Sequence, residues 1–189
     1  MAVSAYRRLV QARIIREAEG YLELLMACPS RLELAPAARD RVAQRALDAL
    51  QELDEPERHT AYVRYLQGLA YRSMDRYHDA IPPLRDSAEL DPDDTHALLA
   101  LGWCYKRIGR LNLAIEALQE ALAVDENQAI IHYNLACYWS LAGNAEIALD
   151  HLATSLQIDP KYRELAEGEH DFDAIRQHPE FRELTSVIV

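Results

Sequence analysis

The chain has 189 residues and a formal charge of −11, with half its residues hydrophobic and 27% charged. That balance belongs to one folded domain or a short repeat array, not to a disordered tail. The acidity argues against nucleic-acid binding, because a phosphate backbone is repelled unless a basic stripe offsets the net charge. Six glycines and two phenylalanines, set against many Ala, Leu, Glu and Arg, favour helix over sheet.

Residues 3–26 are predicted to form one amphipathic helix, because Tyr6, Leu9, Val10, Ile14, Tyr21, Leu24 and Leu25 recur at helical intervals. Its arginines, Arg7, Arg8, Arg13 and Arg16, precede the first acid, Glu17. An organellar transit peptide is the alternative there, but the pattern runs smoothly on into helix. A secretory signal is not expected, since residues 1–20 lack a continuous apolar core and a small-residue cleavage site. Cys28-Pro29-Ser30 should stop the helix, and a loop through Leu32, Leu34 and Ala35 leads to Pro36. Pro36 suits the first turn of a second helix reaching about Leu53.

From Ala61 onward the sequence repeats at an interval of 34 residues. Gly68, Gly102 and Ala136 share the register, as do Tyr71, Tyr105 and Trp139. Ala80, Ala114 and Ala148 agree, with Leu84, Leu118 and Leu152, and with Asp91, Asp125 and Asp159. Such a period marks a helical solenoid whose units cannot bury their apolar faces alone. Three units follow, 61–94, 95–128 and 129–162, each with two helices. Asp75, Gly109 and Gly143 fall at the turn between helices, glycine being suited to the left-handed conformation that ends a helix. Asp91-Pro92 and Asp159-Pro160 close their units. Pro82-Pro83 lies early in a helix and is expected to kink it without breaking it. Ala46 and Leu50 keep the register but Pro29 does not, so 1–60 reads as a degenerate helix pair with an inserted loop. Residues 163–189 leave the period and carry three Arg against seven acids. Phe172, Ile175, Phe181 and Leu184 are predicted to form short capping helices on the last unit. The apolar end, Thr185 to Val189, either tucks into that cap or reaches a partner.

The units resemble tetratricopeptide repeats, whose pattern is W-x2-L-G-x2-Y, then A-x3-F, then P. Here it reads Leu98-x2-Leu101-Gly102-x2-Tyr105 with Ala114-x3-Leu118, then His132-x2-Leu135-Ala136-x2-Trp139 with Ala148-x3-Leu152 and Pro160. A third copy is Arg64-x2-Gln67-Gly68-x2-Tyr71 with Ala80-x3-Leu84 and Pro92. None keeps the leading tryptophan. The resemblance implies an all-α chain, a right-handed α-solenoid of antiparallel helix pairs. It comprises three regular units, one degenerate N-terminal unit and a C-terminal helical cap. The closing Asp-Phe-Asp-Ala-Ile-Arg…Pro-Glu-Phe pattern also resembles the ending of some bacterial proteins of this type, which implies a stand-alone adaptor.

Catalytic constellations are not found. The seven histidines show no i, i+4 pair and no HExxH, and there is no GxGxxG, P-loop or nucleophile elbow. Ser140 and Ser155 have no His–Asp partners fixed by sequence. Asp91-Pro92-Asp93-Asp94 lacks the glycine and distal glutamate of a calcium loop, and Glu167–Asp173 reads as a solvated acidic turn. Cys28, Cys104 and Cys137 are far apart without a CxxC, so neither a disulfide framework nor a zinc knuckle is expected. A reducing, cytoplasmic setting fits, and no apolar run approaches the length of a membrane span. No metal, cofactor or enzymatic activity is expected.

What remains is a surface. In the repeat family the first helix of each pair lines the concave side. Carried onto this chain, the groove residues are Tyr62, Tyr65, Leu69 and Arg72, then His96, Leu99, Trp103, Lys106 and Arg107. The third set is Ile130, Tyr133, Cys137, Ser140 and Leu141. Aromatic and Arg side chains are favoured at binding hot spots. The expectation is a non-enzymatic adaptor that holds a peptide segment of a protein partner, with acids on it meeting Arg72, Lys106 and Arg107. The co-chaperone clamp for terminal carboxylates is absent, because its places hold Tyr65, Leu69, Ala100, Ile130 and Asn134. The alternative is a self-associating scaffold, a homo-oligomer docking through the tail from Thr185 to Val189.

Overall fold

The computed structural model describes residues 2–27 and 34–186, with side chains from Ala5 onward. Among the described residues there is helix and turn and no strand. The expected stop at Cys28-Pro29-Ser30 and the loop residue Leu32 lie outside them, as do the last three residues of the tail. The chain divides into two compact units, residues 1–104 and 105–189. No helix among the described residues is long and apolar enough to cross a membrane.

The first unit opens with α1 (Ala2–Ala27) and α2 (Pro36–Gln51), joined by a four-residue turn of helix, α3 (Glu55–Arg58), to α4 (Ala61–Ser73) and α5 (Tyr77–Leu90). Pro36 stands at the start of α2, where its missing N–H is no loss. Thr60 caps α4 by accepting the Val63 N–H. Helix α4 packs on α5, and α1 packs on both α2 and α4. Pro82 and Pro83 sit in the second turn of α5, which runs on through them to Leu90. Helix α6 (Thr95–Arg107) begins in this unit, and its last turn from Tyr105 belongs to the second.

The second unit continues with α7 (Leu111–Val124), α8 (Ala129–Leu141) and α9 (Ala145–Ile158), then α10 (Tyr162–Gly168). A 3₁₀ turn (His170–Phe172) and α11 (Pro179–Thr185) follow. Helix α8 packs between α7 and α9, and the cap lies against α8 and α9.

The turns explain why the period survives. Asp75, Gly109 and Gly143 have φ of 57°, 73° and 79°, the left-handed region. The N–H groups of Arg76, Arg110 and Asn144 donate to the carbonyls of Tyr71, Tyr105 and Trp139 at 3.0, 2.9 and 2.9 Å, so the helix ends keep their hydrogen bonds. Ala80, Leu84, Ala114, Leu118, Ala148 and Leu152 are all fully buried, as the repeat register requires. Ser87 and Ser155 add hydroxyl hydrogen bonds to the Ala61 and Ala129 carbonyls, at 2.8 and 2.9 Å. Each ties the second helix of a pair to the start of the first, which satisfies a hydroxyl that burial would otherwise penalise.

In the cap, Ala166, Phe172, Ile175 and Phe181 are buried, and the Phe172 and Phe181 rings lie 5.4 Å apart. Arg176 donates to the carbonyls of Glu167 and Glu169, and Arg163 to that of Leu184 at 3.0 Å. Of the described tail residues, Thr185 is buried, its hydroxyl donating to the Phe181 carbonyl at 2.8 Å, and Ser186 is exposed.

Candidate functional site: an aromatic wall with a cation in each unit

In the first unit, α4 and α6 present an aromatic surface. Tyr62 is exposed, Tyr65, Arg72, Leu99 and Trp103 are half-buried, His96 is exposed, and Leu69 is withdrawn into the core. The Tyr62 and Tyr65 rings lie 6.4 Å apart, and Tyr65 meets His96 edge-on at 6.4 Å. The Tyr62 hydroxyl donates to Glu19 of α1 at 2.6 Å. Burial, helped by that carboxylate, pushes its pKa up to about 12. Trp103 takes the Tyr77 ring edge-on at 5.3 Å, and the Arg72 guanidinium lies 5.5 Å from its ring centre. That is a cation–π contact, favourable because the ring face is electron-rich.

Beside Arg72 and Trp103 a cleft of about 420 Å³ opens, lined also by Leu25, Met26, Arg39, Ser73 and Asp75. Leu25 and Met26 come from the last turns of α1. Asp75, the one acid lining it among the described residues, accepts from Arg39 at 2.6 Å and from the Tyr77 hydroxyl. Arg72 has no carboxylate partner among the described residues.

The second unit treats its part of the expected groove differently. Arg107 and Leu141 are exposed, Ile130 and Lys106 half-buried, and Tyr133, Cys137 and Ser140 buried. The chain's own cap covers Lys106, Tyr133, Cys137 and Ser140. Lys106 pairs with the Asp171 carboxylate, whose side chain is only 14% exposed. Ser140 donates to the Asp171 carbonyl at 2.7 Å. Phe172 meets Tyr133 edge-on at 5.8 Å, and the Tyr162 ring lies tilted against it at 4.9 Å. The acid expected to meet Lys106 from a partner is therefore supplied in cis.

Cys137 Sγ and carboxylate oxygens of Glu169 and Asp171 lie within 4.8 Å of one another. Their charge is already answered, because Lys106 neutralises Asp171 and Glu169 accepts the Asp171 N–H at 3.1 Å. Burial first, and then the two acids, push the Cys137 thiol well above its ordinary range. Burial likewise pushes Cys104 up to about 11. Both cysteines act as small apolar residues, unreactive because the thiolate is disfavoured.

A family model described as tetratricopeptide repeat matches residues 65–129. Among solved structures, MamA is similar at a TM-score of 0.66 and 19% identity, covering 82% of this chain and 90% of that one. YrrB, described as a TPR protein with an unusual peptide-binding site, follows at 0.55 and 23%, covering 67% of this chain and 62% of that one. The Yersinia enterocolitica type III secretion chaperone SycD, solved with a peptide of the translocator YopD, aligns at 0.54 and 21%, covering 60% and 90%. No curated protein matches the sequence. The chain carries the tetratricopeptide repeat over residues 65–129. Its fold class is the all-α solenoid of helix pairs.

The tetratricopeptide register makes positions comparable. Lys106 lies 34 residues after Arg72, Tyr133 after Leu99, and Cys137 after Trp103. The cation and the two wall positions that hold the cap in the second unit thus recur on the open wall of the first.

Two features escaped the sequence reading. The α1 residues Leu25 and Met26 join the cleft; Leu25 belongs to the predicted helical stripe and Met26 does not. His132 and His151, 19 apart in sequence, meet with Nδ1 atoms 3.1 Å apart. His132 Nε2–H donates to the Glu126 carbonyl at 3.0 Å, so its Nδ1 accepts from His151. Burial, and then the neighbouring imidazole, lower the His151 pKa against a smaller upward pull from Asp150. The sign follows: the unfolded chain binds the proton near pH 6.5 and the folded chain binds it only at lower pH. Stability contributed by this pair is present above about pH 6.5 and lost as pH falls through that window. Urea midpoints measured from pH 7.5 down to 5 should fall less steeply for His151→Gln than for the native chain. Parallel curves would show that the pair is not what titrates.

Proposed function

We propose that this chain is a non-enzymatic adaptor that holds a peptide segment of a protein partner on the aromatic wall of its first unit. The observation carrying this reading is the cleft of about 420 Å³ between the α1 end and Trp103, with Arg72 laid over the indole. Rigid aromatic rings bury area at small entropic cost, and a half-buried cation selects among partners more than it adds affinity. Solved relatives support a peptide ligand: YrrB is described by its peptide-binding site, and SycD holds a translocator peptide.

The residues assigned to peptide contact are Tyr62, Tyr65, Arg72, His96, Leu99 and Trp103. Those of the second unit divide. Lys106, Tyr133 and Cys137 serve the cap, and Arg107, Ile130 and Leu141 remain at the surface.

Selection of a displayed random-peptide library on the full chain tests this. Peptides enriched by the native protein should lose at least about thirtyfold in affinity on Trp103→Ala, the size of a hot-spot truncation. Far-UV circular dichroism would confirm that the variant is folded. Equal binding by a folded Trp103→Ala protein would move the site away from this wall.

A further inference from the structure

The way the chain fills its own wall in the second unit identifies what the open wall of the first unit takes. We propose that the Arg72 cleft receives an acidic side chain followed directly by an aromatic one, on a peptide from a protein partner. This rests on the reading of that wall as a peptide surface and adds the chemistry of the ligand.

The template is Asp171-Phe172. Its carboxylate pairs with Lys106, its carbonyl accepts from Ser140, and its ring packs edge-on against Tyr133. One repeat period earlier, Arg72 stands in the place of Lys106 and Leu99 in the place of Tyr133. Trp103 replaces Cys137 and supplies the aromatic partner that Tyr133 supplies in the second unit. The register thus places a cation and an apolar wall at the corresponding positions of the first unit, where the Tyr77 ring packs edge-on on Trp103.

Charge decides the sign of the ligand. Arg72 is half-buried, lies over an indole face and has no carboxylate partner among the described residues. Asp75 is already engaged by Arg39, 2.6 Å away, and by the Tyr77 hydroxyl. A guanidinium presents two parallel N–H groups to a carboxylate, so the incoming acid is held in one orientation. The following ring then lies toward Leu25 and Met26 of α1, where a flexible thioether adapts to an aromatic edge. On a chain of net charge −11, this local cation is the feature that lets an acidic segment approach.

The probe is the chain's own template, a blocked synthetic peptide with the sequence of residues 169–173, Glu-His-Asp-Phe-Asp. It is titrated to millimolar concentration into the ¹⁵N-labelled full chain. Only Trp103 and Trp139 give indole N–H signals, and Trp139→Phe assigns them. The expected result is a saturable shift of the Trp103 signal. A peptide with asparagine at the place of Asp171, or alanine at the place of Phe172, should bind at least tenfold more weakly. Arg72→Gln should lose the same factor and Arg72→Lys should restore most of it, since Lys106 does this work in the second unit.

Equal binding of the asparagine peptide overturns the acidic specificity while leaving the wall a peptide site. Library-selected peptides that shift Trp103 when the acidic probe does not would also overturn this proposal and leave the adaptor reading standing. Failure of both kinds of peptide to move Trp103 would remove the two together.

Discussion

Phe172→Ala is expected to lower the stability of the chain by about 3–5 kcal/mol, the range for deleting a fully buried aromatic ring. Phe172 has no exposed surface and contacts rings on two sides, Tyr133 at 5.8 Å and Phe181 at 5.4 Å. It belongs to a three-residue 3₁₀ turn, a geometry with little stability of its own, so the ring and not the backbone holds the segment in place. Removing it releases Asp171, and Lys106 loses the acid that balances it in a site only 24% exposed. The effect should be read as a reduced urea midpoint by far-UV circular dichroism. A second signal tests the geometry. Burial, with Cys137 and the acids Glu169 and Asp171 adding to it, holds the Tyr133 hydroxyl far above its ordinary pKa. In the variant that hydroxyl should titrate closer to about 10, the usual tyrosine value, by ultraviolet difference absorbance. Phe172→Leu, which keeps most of the buried volume, should cost less than half as much. A loss below about 1 kcal/mol for the alanine variant would mean that the cap is a loose appendage.

The cap also marks where the sequence stops being legible. The helix pairs could be read because each obeys one local rule at a fixed spacing. Small residues at Gly68, Ala80, Ala114 and Ala148 permit close approach, and left-handed turns at Asp75, Gly109 and Gly143 end the helices. Even the poor terminator Asp75 was predicted at its place, and the structure shows it with φ of 57° and two side-chain partners. The existence of the cap followed from the same logic, since Phe172, Ile175 and Phe181 needed somewhere to go. Its position on the wall did not follow. Nothing local ties Asp171 to Lys106, 65 residues away, because no periodic rule governs a segment that occurs once. His132 and His151 are a similar case, a contact made by two helices whose facing side chains only the packed pair reveals. Of the side chains expected on one surface from helical offsets, Tyr62 and His96 are exposed, whereas Leu69, Tyr133, Cys137 and Ser140 are buried. The offsets could not say which of them the chain would cover itself.

Gly68→Ala should destabilise the protein by about 1–3 kcal/mol, and Gly68→Val by more, because α4 and α5 meet at this point with no room for a side chain. A Cβ placed on Gly68 would overlap the branch carbon and one methyl of Leu84. Leu84 is itself fully buried and cannot swing aside without displacing the core between the two helices. Valine adds two methyl groups and a restricted χ1 to the same conflict. Gly20 provides the control, since a Cβ there meets nothing within 4 Å on the exposed side of α1. Gly20→Ala should stabilise the chain by about 0.5–1 kcal/mol through helix propensity alone. The same chemical change thus carries opposite signs at two positions of one protein. A double-mutant cycle isolates the cause. Leu84→Ala alone should cost about 2–5 kcal/mol, as a large-to-small change in a packed core. Combined with Gly68→Ala, it removes the very atoms that the new methyl would strike. The double variant should then be more stable than the sum of the two losses predicts, by more than about 1 kcal/mol. Additive losses, or a Gly68→Ala protein as stable as the native chain, would show that α4 and α5 do not depend on this close approach.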